Sequence, residues 1–234
     1  MSEPAGDREH LKHDAAQAAL DYVMNGMVVG LGTGSTATYV VEGLAERVRL
    51  GLKIIGIPTS ERTRILARGR GIPLASLGEH QVIDLTIDGA DEVERGTLNL
   101  IKGLGGALLR EKIVAAASKR LIIVVDQEKL VDRLGDHTPV PVEVVQFGWE
   151  ATAASLARLG ARPVLRNAAE DQPFITDGGN YILDCHFACI ADAARLEREI
   201  AMIVGVVESG LFVGRAEAVV VATTKGVEVL RAKE

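Results

Sequence analysis

The residues best suited to chemistry lie close together in the chain. Asp88 and Asp91 flank Gly89 and Ala90 in the run DGADE. Lys102 leads into the turn Gly103-Leu104-Gly105-Gly106, and Glu111 follows within LLREK. Carboxylates that can accept a proton, an ammonium and backbone N–H groups that can hold a negative oxygen, and glycines that let backbone approach a ligand are the parts of a proton-transfer site. Each residue taken singly also has an ordinary explanation. Asp and Gly after a strand are turn chemistry, and Arg110-Glu111-Lys112 reads as a solvated helix face. The spacing argues otherwise for Glu111. In a helix starting near Ala107, positions 107, 111, 114 and 115 share one face, and in this chain they are Ala, Glu, Val and Ala. A carboxylate on an apolar face is costly unless it has a partner or a task.

The elements that must position these groups follow from periodicity. The mostly apolar run Val82–Ile87 predicts a buried strand ending at the acids, Leu98–Ile101 a second strand delivering Lys102, and a helix begins near Ala107. Upstream, Arg8–Met24 predicts a helix whose apolar stripe is Leu11, Ala15, Ala18, Ala19 and Tyr22, stopped by Asn25-Gly26. Met27–Leu31, then Gly32-Thr33-Gly34-Ser35-Thr36, then a helix to about Val48, is a strand–glycine turn–helix unit. Its backbone N–H groups and positive helix end suit a phosphate. The glycines are spaced G-x-G-x-G, with no G-x-G-x-x-G and no Gly-Lys-Ser/Thr, which speaks against a dinucleotide or nucleoside triphosphate. A plain tight turn remains the alternative. Lys53–Pro58 is another strand, and Thr59-Ser60-Glu61 caps a helix ending near Gly69 or Gly71. Leu121–Val125 is a strand closed by Asp126, with Lys129 three residues on. Strands alternating with helices predict a parallel α/β sheet, with the ligand beyond its carboxyl ends. The turns after Gly30, Ile57, Ile87 and Ile101 would open there.

The pattern then changes. Pro139–Val144 reads as an extended edge strand because proline is tolerated there. Ala151–Leu159 is a helix, Arg162–Arg166 a strand, and Phe174–Thr176 with Tyr181–Asp184 around Asp177-Gly178-Gly179-Asn180 a hairpin. Asp192–Ile203 is a helix, Gly205–Leu211 leads into a strand, and Ala218–Ala222 returns to the main sheet. The expected fold class is α/β, with a mostly parallel Rossmann-like sheet covered by helices on both faces, plus a small ferredoxin-like α+β insertion. The expected division is residues 1–142 with 213–234 as the main domain carrying the active site, and 143–212 as the subdomain.

With 234 residues, 47% of them hydrophobic, the chain can bury a substantial core, and its net charge of −6 disfavours nucleic acid and anionic membrane as partners. The first twenty residues are polar and charged, which predicts no secretory signal. No apolar run approaches the ~20 residues of a membrane span. Two cysteines, Cys185 and Cys189 in CHFAC, lack the second Cys/His pair a zinc site needs and read as packing or surface groups. Low cysteine usage suits a cytoplasmic location.

The motifs DGADE at 88–92, IKG-x-G at 101–105 and LLREK at 108–112 resemble those of the ribose-5-phosphate isomerase family, type A. GLGTGST, PVPVEV, TDGGNYILD and GVVESGLF extend the resemblance nearly end to end. Gly103-Leu104-Gly105-Gly106 departs from a run of adjacent glycines, and Glu94-Arg95-Gly96 is a variant loop; neither removes a charged residue of the motifs. The resemblance implies aldose–ketose isomerisation between ribose 5-phosphate and ribulose 5-phosphate in the non-oxidative pentose phosphate pathway. It implies Glu111 as general base, Lys102 as oxyanion partner, Asp88 as proton carrier between oxygens, and Asp91 as a hydroxyl ligand that aids ring opening. Thr33, Gly34, Ser35, Thr36, Gly89, Ala90, Gly103, Leu104 and Gly105 would line the substrate site, with Lys12 and Lys129 supplying charge for the phosphate. No metal or other cofactor is expected, and the resemblance implies a homodimer or higher homo-oligomer.

Two other classes use related architecture. A non-catalytic sugar-phosphate sensor would want a helix-turn-helix or a basic face, for which the N-terminal segment offers no room. A coenzyme A transferase would use a glutamate as nucleophile. Turnover of ribose 5-phosphate without coenzyme A separates the isomerase from both.

Overall fold

The structure, a computed structural model, describes residues 5–169 and 172–232, with side chains of the first helix from Glu9 onward. In chain order the elements are α1 (Ala5–Ala19), β1 (Val28–Leu31), α2 (Ser35–Arg49), β2 (Ile55–Pro58), α3 (Glu61–Gly69), β3 (Leu85–Asp88), β4 (Glu92–Glu94), β5 (Leu100–Ile101), α4 (Leu108–Ala116), β6 (Leu121–Asp126), β7 (Leu130–Val131), β8 (Val140–Val144), α5 (Trp149–Arg158), β9 (Ala161–Leu165), β10 (Tyr181–Phe187), α6 (Ala193–Ala201), β11 (Val206–Ser209), β12 (Leu211–Phe212), β13 (Ala218–Thr223) and β14 (Gly226–Arg231). They form two compact units, one of residues 1–90, 110–129 and 215–234, the other of 91–109 and 130–214. Residues 91–109, 130–142 and 213–214, assigned from sequence to the larger domain, cluster with the second unit. Residues 1–4 and 233–234 of that assignment lie outside the described residues.

The first unit is built on a six-stranded sheet in the order β14-β13-β6-β3-β1-β2. All neighbours are parallel except the β13–β14 hairpin. The strand periodicity of two sends side chains to both faces. Val29, Leu31, Leu85 and Ile87 join a core with Leu11, Ala15, Leu20, Val40, Val41 and Leu44 from the α1 and α2 segments. Val28, Ile57 and Ile83 instead pack with Val114 of α4. Both faces are therefore covered, which is why these strands read as continuous apolar runs. Because β1 pairs with β2 on one side and β3 on the other, the strand order reverses at β1 and β3. A crevice at such a reversal, beyond the carboxyl ends, is the standard ligand position in this architecture.

The second unit holds two four-stranded sheets, β12-β5-β4-β7 and β11-β8-β10-β9. The latter is antiparallel throughout. Together with α5 and α6 it has the βαββαβ connectivity of a ferredoxin-like fold. Val140, Val142 and Val144 of β8 face the helices with Leu156, Leu183, Leu196 and Ile200.

Four local expectations change. Pro139–Val144 is not an edge: β8 lies between β11 and β10. Pro141, which has no N–H to give, uses its carbonyl to accept from Gly210 N–H at 2.7 Å. The hairpin around Gly178-Gly179 is absent, and β10 pairs with β9 and β8 instead. Phe174–Thr176 forms no strand, and Thr176 hydroxyl donates to the buried Glu143. The run 205–211 splits into β11 and β12, which join different sheets. The strand before Lys102 shortens to Leu100–Ile101, because Leu98 takes a left-handed backbone (φ 56°).

Candidate active site

In the first unit, β1 runs into Gly32 and Thr33, and α2 begins at Ser35 with Gly34 as its N-cap at φ 114°. Only glycine holds that conformation without strain. It also leaves the first amides of α2 without a side-chain cap, so they remain available to an anion. Gly32 is needed for a second reason: a Cβ there would lie 2.3 Å from Asp88 Oδ1. Asp88, at the end of β3, is almost wholly buried. Its Oδ1 accepts from Thr33 N–H at 3.0 Å and from Gly89 N–H at 2.8 Å. The two turns that the sequence predicts to open together, after β1 and after β3, thus meet through Asp88.

The Thr33 hydroxyl turns away from that carboxylate. Its oxygen lies 2.7 Å from Thr59 Oγ1 and 3.1 Å from Thr63 Oγ1, and it donates to Ser60 Oγ at 2.8 Å. Thr63 in turn donates to Gly32 O at 2.9 Å. Ser60 caps α3 by accepting from Thr63 N–H. This hydroxyl cluster ties the start of α3 to the β1–α2 turn. The Thr-Ser-x-x-Thr spacing after β2 was its only sequence signal.

Glu111, in the first turn of α4, is buried, as is Lys112. The apolar-face expectation for Glu111 therefore holds over the solvated-face one. Lys129 ends the single 3-10 turn after β6. Lys12 on α1 forms an ion pair with Glu9 at 2.6 Å. That ammonium, with the Tyr39 hydroxyl, holds the Glu9 carboxyl below its ordinary value.

In the second unit, Asp91 accepts from Leu104 N–H at 2.9 Å, and its own N–H donates to Ile101 O. Lys102 is buried; its ammonium sits 5.5 Å from the centre of the Phe212 ring and its N–H donates to Gly210 O. Gly103 and Gly106 have positive φ, and Gly106 N–H closes the turn onto Gly103 O at 3.0 Å. Residues that sequence reasoning missed gather here. Arg166 binds the turn carbonyls and Asp184, and Gly210 and Phe212 hold Lys102. Asp184 ends the TDGGNYILD phrase and Gly210 and Phe212 lie in GVVESGLF, but neither phrase by itself shows these contacts, because the partners lie far along the chain.

Cys185 is buried and its thiol is pushed up to about 12, chiefly by that burial, so it is an inert packing group. Cys189 is exposed and accepts from Arg133. Among the described residues no group of three or more His, Cys, Asp or Glu could hold a metal ion, and no helix is long and apolar enough to cross a membrane.

The model of the ribose 5-phosphate isomerase A (phosphoriboisomerase A) family matches residues 55–226. Ribose-5-phosphate isomerase A of Gloeobacter violaceus is 64% identical over 224 residues, 96% of this chain and 97% of that one. The solved structure of ribose 5-phosphate isomerase A from Methanocaldococcus jannaschii is 44% identical with a TM-score of 0.92, covering 95% of this chain and 99% of that one. A solved D-ribose-5-phosphate isomerase in complex with phospho-erythronic acid is 43% identical with a TM-score of 0.93, covering 96% and 99%. The buried Asp88 beside the GTGST turn, the Asp91–Lys102 segment and the full-length likeness agree: the chain belongs to the ribose 5-phosphate isomerase A family.

Proposed function

We propose that this protein interconverts ribose 5-phosphate and ribulose 5-phosphate in the non-oxidative pentose phosphate pathway. The observation that carries the reading is Asp88, buried and held by the Thr33 and Gly89 amides against an uncapped helix N-terminus, in a chain of this family. The open-chain aldose loses its C2 proton to a base, the electron pair forms the C1–C2 double bond, and O1 takes the negative charge. Transfer of the O2 proton to O1 and return of a proton to C1, with the double-bond electrons forming the new C1–H bond and the C2 carbonyl, give the ketose. Substrate and product are isomers, so no electrons enter or leave.

Residue roles follow the family motifs. Glu111 is the base that takes the C2 proton and returns it at C1. Its side chain is buried in the first turn of α4. Lys102 and neighbouring amides stabilise the enediolate oxygen, a preorganised electrostatic effect. Asp88 carries the proton between the two oxygens. Asp91 binds hydroxyls and assists ring opening. Thr33–Thr36, Gly89, Ala90 and Gly103–Gly105 line the substrate site. The α2 amides, Lys129 and Lys12 favour the phosphate; Lys12 would have to leave Glu9 to do so. Phospho-erythronic acid, in complex with the related enzyme, carries a phosphate and a carboxylate whose negative oxygens resemble those of a phosphorylated enediolate, which supports this reading. We further propose a homodimer or higher homo-oligomer in the cytoplasm.

The test is incubation with ribose 5-phosphate alone. Ribulose 5-phosphate should form without coenzyme A, and free ribose should be converted far less efficiently, mainly through weaker binding. Absence of turnover would sink the isomerase reading. Equal efficiency for the two sugars would sink the phosphate role of the GTGST turn.

A further inference from the structure

A charged pair, Arg166 and the Asp184 that ends the TDGGNYILD phrase, grips the glycine turn. Arg166 directly follows β9, and Asp184 lies on β10, both in the second unit. The Arg166 fork donates Nε to Asp184 Oδ2 at 2.9 Å and Nη2 to Asp184 Oδ1. Its remaining nitrogen, Nη1, donates to Gly103 O at 2.9 Å and to Leu104 O at 3.0 Å. Both side chains are largely buried, at 12% and 19% exposure. The guanidinium lies 5.9 Å from the centre of the Phe174 ring. That ring stands where a Cβ on Gly106 would be, 2.4 Å away. Arg166 is thus locked from behind by Asp184 and Phe174 and presents one nitrogen to two successive carbonyls.

The geometry of those peptides gives the consequence. Among the described residues no peptide bond is cis, and in a trans peptide the C=O and the following N–H point in opposite directions. Arg166 draws the carbonyl of the Gly103–Leu104 peptide to one side, and the N–H of that same peptide donates to Asp91 Oδ2 at 2.9 Å on the other. It draws the Leu104–Gly105 carbonyl likewise, so the Gly105 N–H also points away from the guanidinium. That N–H has no partner among the described residues. A carbonyl bonded to a cation also makes the N–H of its own peptide a better donor.

We propose that Arg166, held by Asp184, is a positioning residue for the isomerase: it aims the Leu104 N–H at Asp91 and the Gly105 N–H at the negative oxygen of the bound sugar. This rests on the roles proposed above for Asp91 and the turn amides. Arg166 itself touches no reacting atom.

Arg166→Met keeps the apolar stem and removes every donor. Arg166→Lys keeps the charge but cannot bridge both carbonyls and the carboxylate. Asp184→Asn keeps Arg166 and weakens its lock. With ribose 5-phosphate, kcat should fall about tenfold or more in Arg166→Met, up to the ~10²–10³-fold of removing an oxyanion donor outright. It should fall less in the other two variants. KM should stay within about threefold, because the phosphate is held elsewhere, and removing an interaction made in the transition state lowers kcat. Inhibition by inorganic phosphate should be unchanged, whereas phospho-erythronic acid should bind more weakly in step with kcat. A folded Arg166→Met with wild-type kcat and wild-type affinity for phospho-erythronic acid overturns the proposal, and so does a rise in KM alone. If Arg166→Met does not fold, the other two variants carry the same comparison; failure of all three to fold makes the pair structural and overturns it too. Wild-type protein that binds phospho-erythronic acid but turns over no ribose 5-phosphate defeats the isomerase reading instead, and the binding comparison still decides the role of Arg166.

Discussion

Single atoms decide much in this protein. Glu111 sits on the buried side of α4 and Asp88 at the end of a strand with almost no exposure. Glu111→Gln keeps the size and much of the hydrogen bonding but cannot accept a proton. Turnover should fall by roughly 10²–10⁴, the usual contribution of a positioned base. A folded variant with near-normal turnover would make Glu111 a structural acid and pass the base to Asp88 or Asp91. Gly32→Ala tests the neighbouring contact. Its Cβ would fall 2.3 Å from Asp88 Oδ1, so the carboxylate must move off the Thr33 amide. Steady-state kinetics should show a loss of kcat larger than any loss of stability would explain at assay temperature. Normal kcat in a folded Gly32→Ala would mean that the position of Asp88 is not demanding.

Elements are held to one another by paired polar groups as well as by apolar faces. Asp84, just before β3, accepts from Val28 N–H on β1 at 2.9 Å and from the Lys119 ammonium before β6 at 2.8 Å. Those bonds, the Lys119 one first, hold its carboxyl below the ordinary value. A carboxyl depressed in the folded state stabilises the fold above its unfolded pKa of about 4, and that contribution is lost as pH falls through the folded value. Asp84→Ala should therefore cost about 1 kcal/mol at neutral pH, a modest figure because exposed Lys119 is screened by solvent. The difference from wild type should close on acidification below pH ~4, measured by denaturant titration at several pH values. A gap that is constant with pH would assign the loss to packing. Glu92 does similar work in the second unit, where it is buried and accepts from the N–H groups of Gly135, His137 and Thr138. One carboxylate thereby fixes the loop before β8.

At the scale of the whole molecule, the chemistry needs only an anion site, a base and oxyanion donors. A metal would need a ligand set, and the described residues hold no such cluster. Activity should survive exhaustive EDTA treatment and dialysis. Loss on chelation, restored by one particular divalent ion, would overturn the proposed mechanism.

Local pattern was enough for the α/β sheet, the glycine turn before α2 and the chain positions of Asp88, Asp91, Lys102 and Glu111. Strand and helix periods, glycines that must take positive φ and acids at strand ends are written within a few residues of one another. The sequence alone also placed Glu111 on an apolar face. It could not show that the Thr33 hydroxyl is taken up by Thr59, Ser60 and Thr63, or that Arg166 grips a turn 63 residues away. It misjudged β8 as an edge because proline lacks a donor. In the fold that deficit is tolerated between β10 and β11, with the Pro141 carbonyl taken by Gly210. Only the tertiary structure decides such pairings, because a buried polar group must find a partner wherever packing supplies one, and that partner leaves no periodic trace in the chain.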